Sequence, residues 1–546
     1  MPTTVFRGGA VASAATGHRP GWGVLVEDGR IARVAPDVAL PDARSPGVEV
    51  VQLDGGLVGP GFHDAHCHPV MAGVELGQCD LSGAEQLDDV LARVRRYARE
   101  HPDEPWIVGG GWSLETFPGG TPRRELLDAI VPDRPVHLEN RDHHGAWVNT
   151  RALELAGLHA RTSDPADGRI ERDPDGTPSG TLHEGAAALT GALRPPVDVA
   201  QARTALARAQ RHLLALGVTG WQDAWLQPRS DGDDLDVYRA AAADGSLVAR
   251  VSVALWWDRS RGLEQVPELL GRIEAAADLA PRVRVRTVKI MVDGIAENFT
   301  AAMTEPYRDA CGHPTGNAGL SFVPPAVLAE AVTRFDAHGV QVHLHALGDR
   351  AVREGLDAVA RARAVNGPGG PRHHLAHLQV VAEPDVPRFA ALDAAANLQP
   401  LWACSEPQMD ELTLPFLATA LHRRQYPFAE LHAAGAPLAL GSDWPVSSAD
   451  PLAGMHVAVT RRAPGASPDV APFLPEQALP LDVVWTAATA GSAGIGGWGG
   501  ELGDLLPGRA ADLVVLDRDP FAGPVEEIAR ARVASTWVAG AAVHRA

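Results

Sequence analysis

Three features of the sequence predict an α/β fold: a (β/α)8 TIM-like barrel, with a small β-sandwich domain built from both termini and an insertion after barrel strand one. The middle of the chain alternates short apolar runs with Ala-rich helical stretches, as parallel strands joined by crossover helices do. Eight such runs can be counted, the number that closes a barrel. Both ends of the chain are strand-rich instead, so residues 1–58 and 500–546 read as one composite β domain flanking a barrel at 59–499.

In chain order, VLVEDGRIARV places apolar runs at 24–26 and 31–34 on either side of Asp28-Gly29, the signal of a hairpin. After a Gly-Pro-Gly turn comes the first barrel strand, GFHDAH (61–66). The others are GVTGWQDA (217–224), ARVSVALW (249–256), VRVRTVKIMVDG (283–294), VQVHLHALG (340–348), RHHLAHLQV (372–380), AAANLQPL (394–401) and PLALGSDWP (437–445). Helical patterns separate most of them, such as VLAEAVTRFDAHG (327–339), which stops at a glycine. Residues of about 75–200 do not fit the alternation. They hold PWIVGGGW (105–112), RPVHLENRDHHGAWVN (134–149) and a Gly/Pro/Asp-rich stretch (163–180), and read as a lid over the barrel mouth, where active sites of this architecture lie. GRAADLVVLDRDP (508–520) and RVASTWVAGAAVH (532–544) complete the terminal domain.

A formal charge of −20 with no basic stripe argues against a nucleic-acid partner; the basic run RVRRYARE (93–100) reads as a solvated helix face. The four cysteines show neither CxxC spacing nor a disulfide framework, which fits a reducing compartment. MPTTVFRGGAVASAATG lacks the apolar core of a signal peptide, and no apolar stretch approaches the ~18–20 residues of a membrane span. The expectation is a cytoplasmic protein that acts on a small molecule, without nucleic acid or membrane partners; a homodimer is left open.

The polar residues on the predicted strands carry the chemistry. His66 and His68 lie two apart at the end of the first strand, so their side chains share one face. Lys289 lies in the fourth strand, His345 closes the fifth, His377 lies in the sixth and Asp443 ends the eighth. Closing the sheet brings these six to one rim. Imidazoles with a carboxylate suit Zn2+, with Mn2+ or Fe2+ as alternatives. A buried ammonium among them is costly, so Lys289 is expected to be neutral or chemically modified.

The chain resembles the metal-dependent amidohydrolase superfamily, specifically amidohydrolase family 3, a branch that includes N-substituted formamide deformylases and exoenzyme regulators. The resemblance spans nearly the whole chain. It is carried by PGFHDAHCH (60–68), GGGWSLETFPGGTPRRELLDAIVPDRPV (109–136), DHHGAWVNTRAL (142–153), VKIMVDG (288–294), HALGDRAV (345–352), RHHLAH (372–377), GSDWPV (441–446) and GRAADLVVLD (508–517). It implies that His66 and His68 are the strand-one metal pair, Lys289 a carboxylated lysine bridging two metals, and His345 and His377 ligands of the second metal. Asp443 is implied as the catalytic aspartate, a metal ligand that deprotonates the attacking water. The sequence departs from the family pattern at His63, where an aliphatic residue is usual, at Ala376, where a Glu is common, and at His143, where the pattern has Gly.

The implied activity is hydrolysis of a C–N bond in an amide or an N-acyl or N-formyl compound, with one or two divalent metals. Hydrolysis of a lactone, carbamate or ester, deamination, and a non-catalytic regulatory or ligand-binding barrel are the alternatives. Within the insertion, Trp112, Asp142, His144 and Trp147 are expected to touch the substrate, His144 by hydrogen bonding and Trp147 as a wall; the plainer reading is that they lock the insertion in place. Lys289 has a plainer reading too, a salt bridge with Asp293. His343, His373 and His374 are expected to pack or to support ligands, and Asp349 to cap a helix.

Overall fold

The computed structural model describes residues 3–42, 45–84, 86–279, 281–467 and 469–546. Positions 1, 2, 43 and 44 of the expected terminal domain, 85 of the expected insertion, and 280 and 468 of the expected barrel span lie outside the described residues.

Eight parallel strands form the central sheet: β1 (Phe62–Cys67), β2 (Val218–Asp223), β3 (Arg250–Trp256), β4 (Val283–Met291), β5 (Gln341–Ala346), β6 (His374–His377), β7 (Ala395–Leu398) and β8 (Leu438–Leu440). Each pairs with its successor in chain order. The ring is nearly closed, because the backbone N–H of Asp443 donates to His66 O (2.7 Å) and that of His68 to Trp444 O (2.8 Å). Strand β5 shows why the sheet can carry polar groups inside. Val342 and Leu344 are fully buried against the helical layer, which leaves His343 and His345 on the opposite, inward face.

The crossover helices obey simple rules. Helix Val199–Ala215 begins with a capping box of Asp198 and Gln201 and buries Ala202, Leu206, Ala209 and Leu213. Helix Asp349–Asn366 starts otherwise than expected. Its N-cap is Gly348, and the Asp349 carboxylate accepts hydrogen bonds from the Thr304 backbone N–H and hydroxyl. Asp349 thus ties down a loop instead of capping its own helix.

The chain ends form two sheets. One holds Thr3–Arg7, Trp22–Glu27, Arg30–Pro36 and Val48–Gln52; the other joins Ala10–Ser13, Gly17–Pro20 and Leu57–Pro60 to Leu513–Leu516, Val533–Val538 and Ala541–Arg545. Phe6, Val24 and Val26 from the first meet Val11, Val58, Leu513 and Trp537 from the second in one apolar cluster. Asp512 fixes this unit to the barrel through an ion pair with Arg250 of β3 (3.3 Å).

The segment between β1 and β2 holds, besides helices, a six-stranded sheet ordered Gly168–Arg172, Pro178–Glu184, Gly145–Val148, Val136–Asn140, Ile107–Trp112, Cys79–Asp80. Its core is aromatic, with Trp112, Phe117 and Trp147 edge-to-face in one cluster. The turn at Asp142–His144 reaches the barrel, where Asn298 donates to the His144 carbonyl (2.9 Å).

Candidate metal centre

The C-terminal rim of the barrel gathers His66, His68, Lys289, His345, His377 and Asp443, all buried. Nε2 of His66 and of His68 lie 3.2 and 2.9 Å from Asp443 Oδ1, and the ligand atoms of the three residues all fall within 4.8 Å of one another. Nδ1 of His377 is 3.9 Å from Asp443 Oδ2. The His377 ring lies 4.4 Å from that of His345 and 4.7 Å from that of His66, between centroids. Lys289 Nζ is 3.4 Å from His66 Nε2. No carboxylate stands within ion-pair distance of Lys289 among the described residues; Asp293, its alternative partner, accepts the backbone N–H groups of Ala302, Leu347 and Gly348 instead.

Local structure aims these groups. Asp64, in the middle of β1, accepts from the His66 backbone N–H (3.0 Å) and from the Ser442 N–H (2.9 Å) and hydroxyl (2.5 Å), bracing β1 against the loop after β8. In that loop a Cβ on Gly441 would meet His66 Cβ at 2.6 Å, so only glycine lets the two segments approach. His377 (φ 79°) and Asp443 (φ 56°) both adopt the left-handed backbone region, which non-glycine residues enter at a cost and which clusters at functional sites. His343 places Nε2 2.9 Å from His66 Nδ1, which turns the other nitrogen of His66 towards the cluster.

Electrostatics follow from burial. Loss of solvation, reinforced by nearby Lys289, pushes the His66 imidazole down to about 3, and His345 and His377 also go well below their ordinary range, chiefly through burial. Burial likewise brings Lys289 down to about 7. For Asp443 burial works in the other direction, but the facing imidazoles of His66, His68 and His377 outweigh it and hold the carboxyl well below the usual range. Neutral imidazoles around an ionised carboxylate are the protonation states in which these groups bind metal.

A divalent cation fits this donor set. Tetrahedral ligands at ~2.0–2.1 Å from Zn2+ stand about 3.3 Å apart, close to the two Nε2–Oδ1 separations. Nδ1 of His377 is buried without a hydrogen-bond partner among the described residues, 3.9 Å from the carboxylate. A cation on the Asp443 side would give that nitrogen a partner.

A family model described as "Amidohydrolase family" matches residues 49–544. The chain belongs to the amidohydrolase family. Among named relatives of this amidohydrolase, Protein LONG AFTER FAR-RED 3 of Arabidopsis thaliana is 30% identical over 95% of the chain and 87% of its own length. N-substituted formamide deformylase of Arthrobacter pascens is 28% identical over 95% of the chain and 94% of its own length. A solved structure from Pyrococcus furiosus, described as an uncharacterized metal-dependent hydrolase, is 25% identical with a TM-score of 0.70, covering 95% of this chain and 99% of that one.

Two cavities of about 510 and 540 Å3 meet at the amidohydrolase rim, and Asp142, His144, His345, His377 and Asp443 line both. Nδ1 of His144 lies 3.0 Å from both Glu184 carboxylate oxygens, and Glu184 also accepts from the Thr300 hydroxyl (2.7 Å). The insertion thereby presents a ring braced from behind. Trp112 and Trp147 are placed differently from the expectation. Both are fully buried in the insertion, their indole N–H groups donating to Leu138 O and Arg123 O, and neither lines either of these two cavities. A motif rich in tryptophan marks a core here, because an indole N–H finds a backbone carbonyl as readily as a ligand. Sequence reasoning passed over Glu184, which lies forty positions from His144. It also passed over Trp225 and Trp256 at the ends of β2 and β3; position at a strand end is the one signal that could have found them.

Proposed function

We propose that this amidohydrolase cleaves the C–N bond of an amide or N-acyl compound, N-formyl amines included, at the rim formed by His66, His68, Lys289, His345, His377 and Asp443. The observation that supports this reading is the convergence of three imidazole nitrogens on the one carboxylate of Asp443, in a cavity wide enough for a small molecule. A relative named N-substituted formamide deformylase supports the choice of bond. The six residues are the ones that would hold the metal, Zn2+ in preference to Mn2+ or Fe2+. A bound divalent cation supplies acidity to water, bringing its pKa towards about 7, and polarises the substrate carbonyl.

The chain's own groups do the rest. Asp443, ionised and acceptor-only, takes a proton from the attacking water at one carboxylate oxygen and delivers it to the departing nitrogen. Water adds to the carbonyl carbon, the C–N bond breaks, and the products are a carboxylic acid and an amine. His144, braced by Glu184, donates to the carbonyl oxygen as negative charge grows on it. Lys289, which burial brings down to about 7 and so leaves partly neutral near neutral pH, can add to carbon dioxide; the nitrogen loses a proton and becomes an anionic carbamate, which would be a ligand for a bound divalent cation.

Elemental analysis of the purified protein, combined with a screen of N-acyl and N-formyl amines, tests the reading. Stoichiometric transition metal and release of acid plus amine are expected. Ammonia release would indicate deamination instead, and absence of both metal and turnover would favour a binding protein.

A further inference from the structure

Two tryptophans that the proposed reaction leaves unused stand beside the metal centre. Trp256 ends β3, and Trp225 follows β2 by two residues. Their indoles stack, with centroids 4.9 Å apart and planes inclined by 24°. The Trp225 ring meets the His68 ring edge to face at 6.2 Å. Both indoles line the cavity that also holds His68 and Asp443. Six other tryptophans, Trp112, Trp147, Trp221, Trp257, Trp485 and Trp498, are fully buried, whereas this pair keeps part of its surface open.

The pair is fixed in place. Asp223 accepts the Trp225 backbone N–H (3.2 Å) and is itself held by the Tyr238 hydroxyl (2.7 Å). Met71 and Met291 extend the apolar wall on the same cavity. A rigid apolar surface facing water inside a cavity is unfavourable and is relieved by an apolar group. A flat ring fits an indole face better than a flexible alkyl chain does, because stacking adds to area burial and less freedom is lost.

We propose that Trp225 and Trp256 form the specificity wall of this site and select amides that carry an aromatic substituent, whose ring lies against Trp225. This rests on the hydrolase reading above, as a statement of which substrates that site takes.

The test uses sulfonamides, which share amide connectivity but resist hydrolysis, so that binding is read without turnover. Two matched pairs cover both sides of the bond: N-benzyl- and N-butylmethanesulfonamide, and N-methyl-phenylmethanesulfonamide with N-methylbutanesulfonamide. Dissociation constants are measured by calorimetry on the full-length metal-loaded protein, on Trp225→Ala, Trp256→Ala and the conservative Trp225→Phe. An aryl-over-alkyl preference of about tenfold is expected in at least one pair. It should fall to near one in Trp225→Ala and be largely kept in Trp225→Phe, with circular dichroism showing that the variants fold. Equal binding within both pairs, or a preference that survives in both alanine variants, overturns the proposal. Failure of the hydrolase reading shows separately, as no turnover of N-acyl amines, and leaves the binding ratio intact.

Discussion

Asp443 is the residue on which the rim turns, since three histidines face its two oxygens. Asp443→Asn keeps an oxygen for coordination but loses the proton acceptor, so metal content should hold while kcat falls by about 100-fold or more; near-native kcat with metal retained would count against proton transfer. His143, at the tip of the insertion's hairpin, permits a pH prediction. Burial opposes its charge, but Glu75 and the hydrogen-bonded Glu139 outweigh burial and raise the imidazole to about 9. A histidine raised above its ordinary 6.5 adds stability that is full below about pH 6.5 and gone once pH passes about 9. Unfolding free energy of the wild type should therefore fall between those limits relative to His143→Gln, by about 3 kcal/mol; parallel pH profiles for the two proteins would contradict it. At this scale the sequence was most readable where chemistry sits in short runs. HDAHCH and GSDWP hold three of the six clustered residues, His66, His68 and Asp443, with their neighbours. Glu184 was hidden because it acts on His144, forty positions away in sequence, whereas His343, expected to pack or to support a ligand, stands against His66.

Elements set what those residues can reach. Gly441 permits the approach of the loop after β8 to His66, and Gly441→Ala should lower metal occupancy at a fixed metal concentration, measured by elemental analysis after dialysis; unchanged occupancy would mean that the loop shifts freely. The insertion sheet depends on its aromatic cluster instead. Trp112→Ala should cost about 3–5 kcal/mol in denaturant unfolding, with little change in substrate KM, because the ring lines neither cavity at the rim; a large KM change at small stability cost would restore the substrate contact. The eight barrel strands could be read in order from apolar runs because most of their residues are buried on both faces. The interior of the insertion could not, since the same Trp-containing motif suits a pocket wall or a core, and periodicity does not separate them.

Across the whole molecule, the chain ends close a β unit that is pinned to the barrel by Asp512 and Arg250, the former also accepting the Ala539 N–H. Asp512→Ala leaves a largely buried guanidinium unpaired and should destabilise the protein by about 3 kcal/mol, read from denaturant midpoints, while kcat is kept. Among the described residues no helix is long and apolar enough to cross a membrane. The fold was legible in the sequence from strand count and strand-rich ends; the six-stranded order of the insertion was not, because its pairing mixes parallel and antiparallel neighbours across a hundred residues. The most direct measurement is X-ray diffraction from the purified protein at a transition-metal absorption edge. An anomalous peak within bonding distance of His66, His68 and Asp443 is the predicted result. A map with no peak there, in crystals grown with that metal supplied, would contradict it.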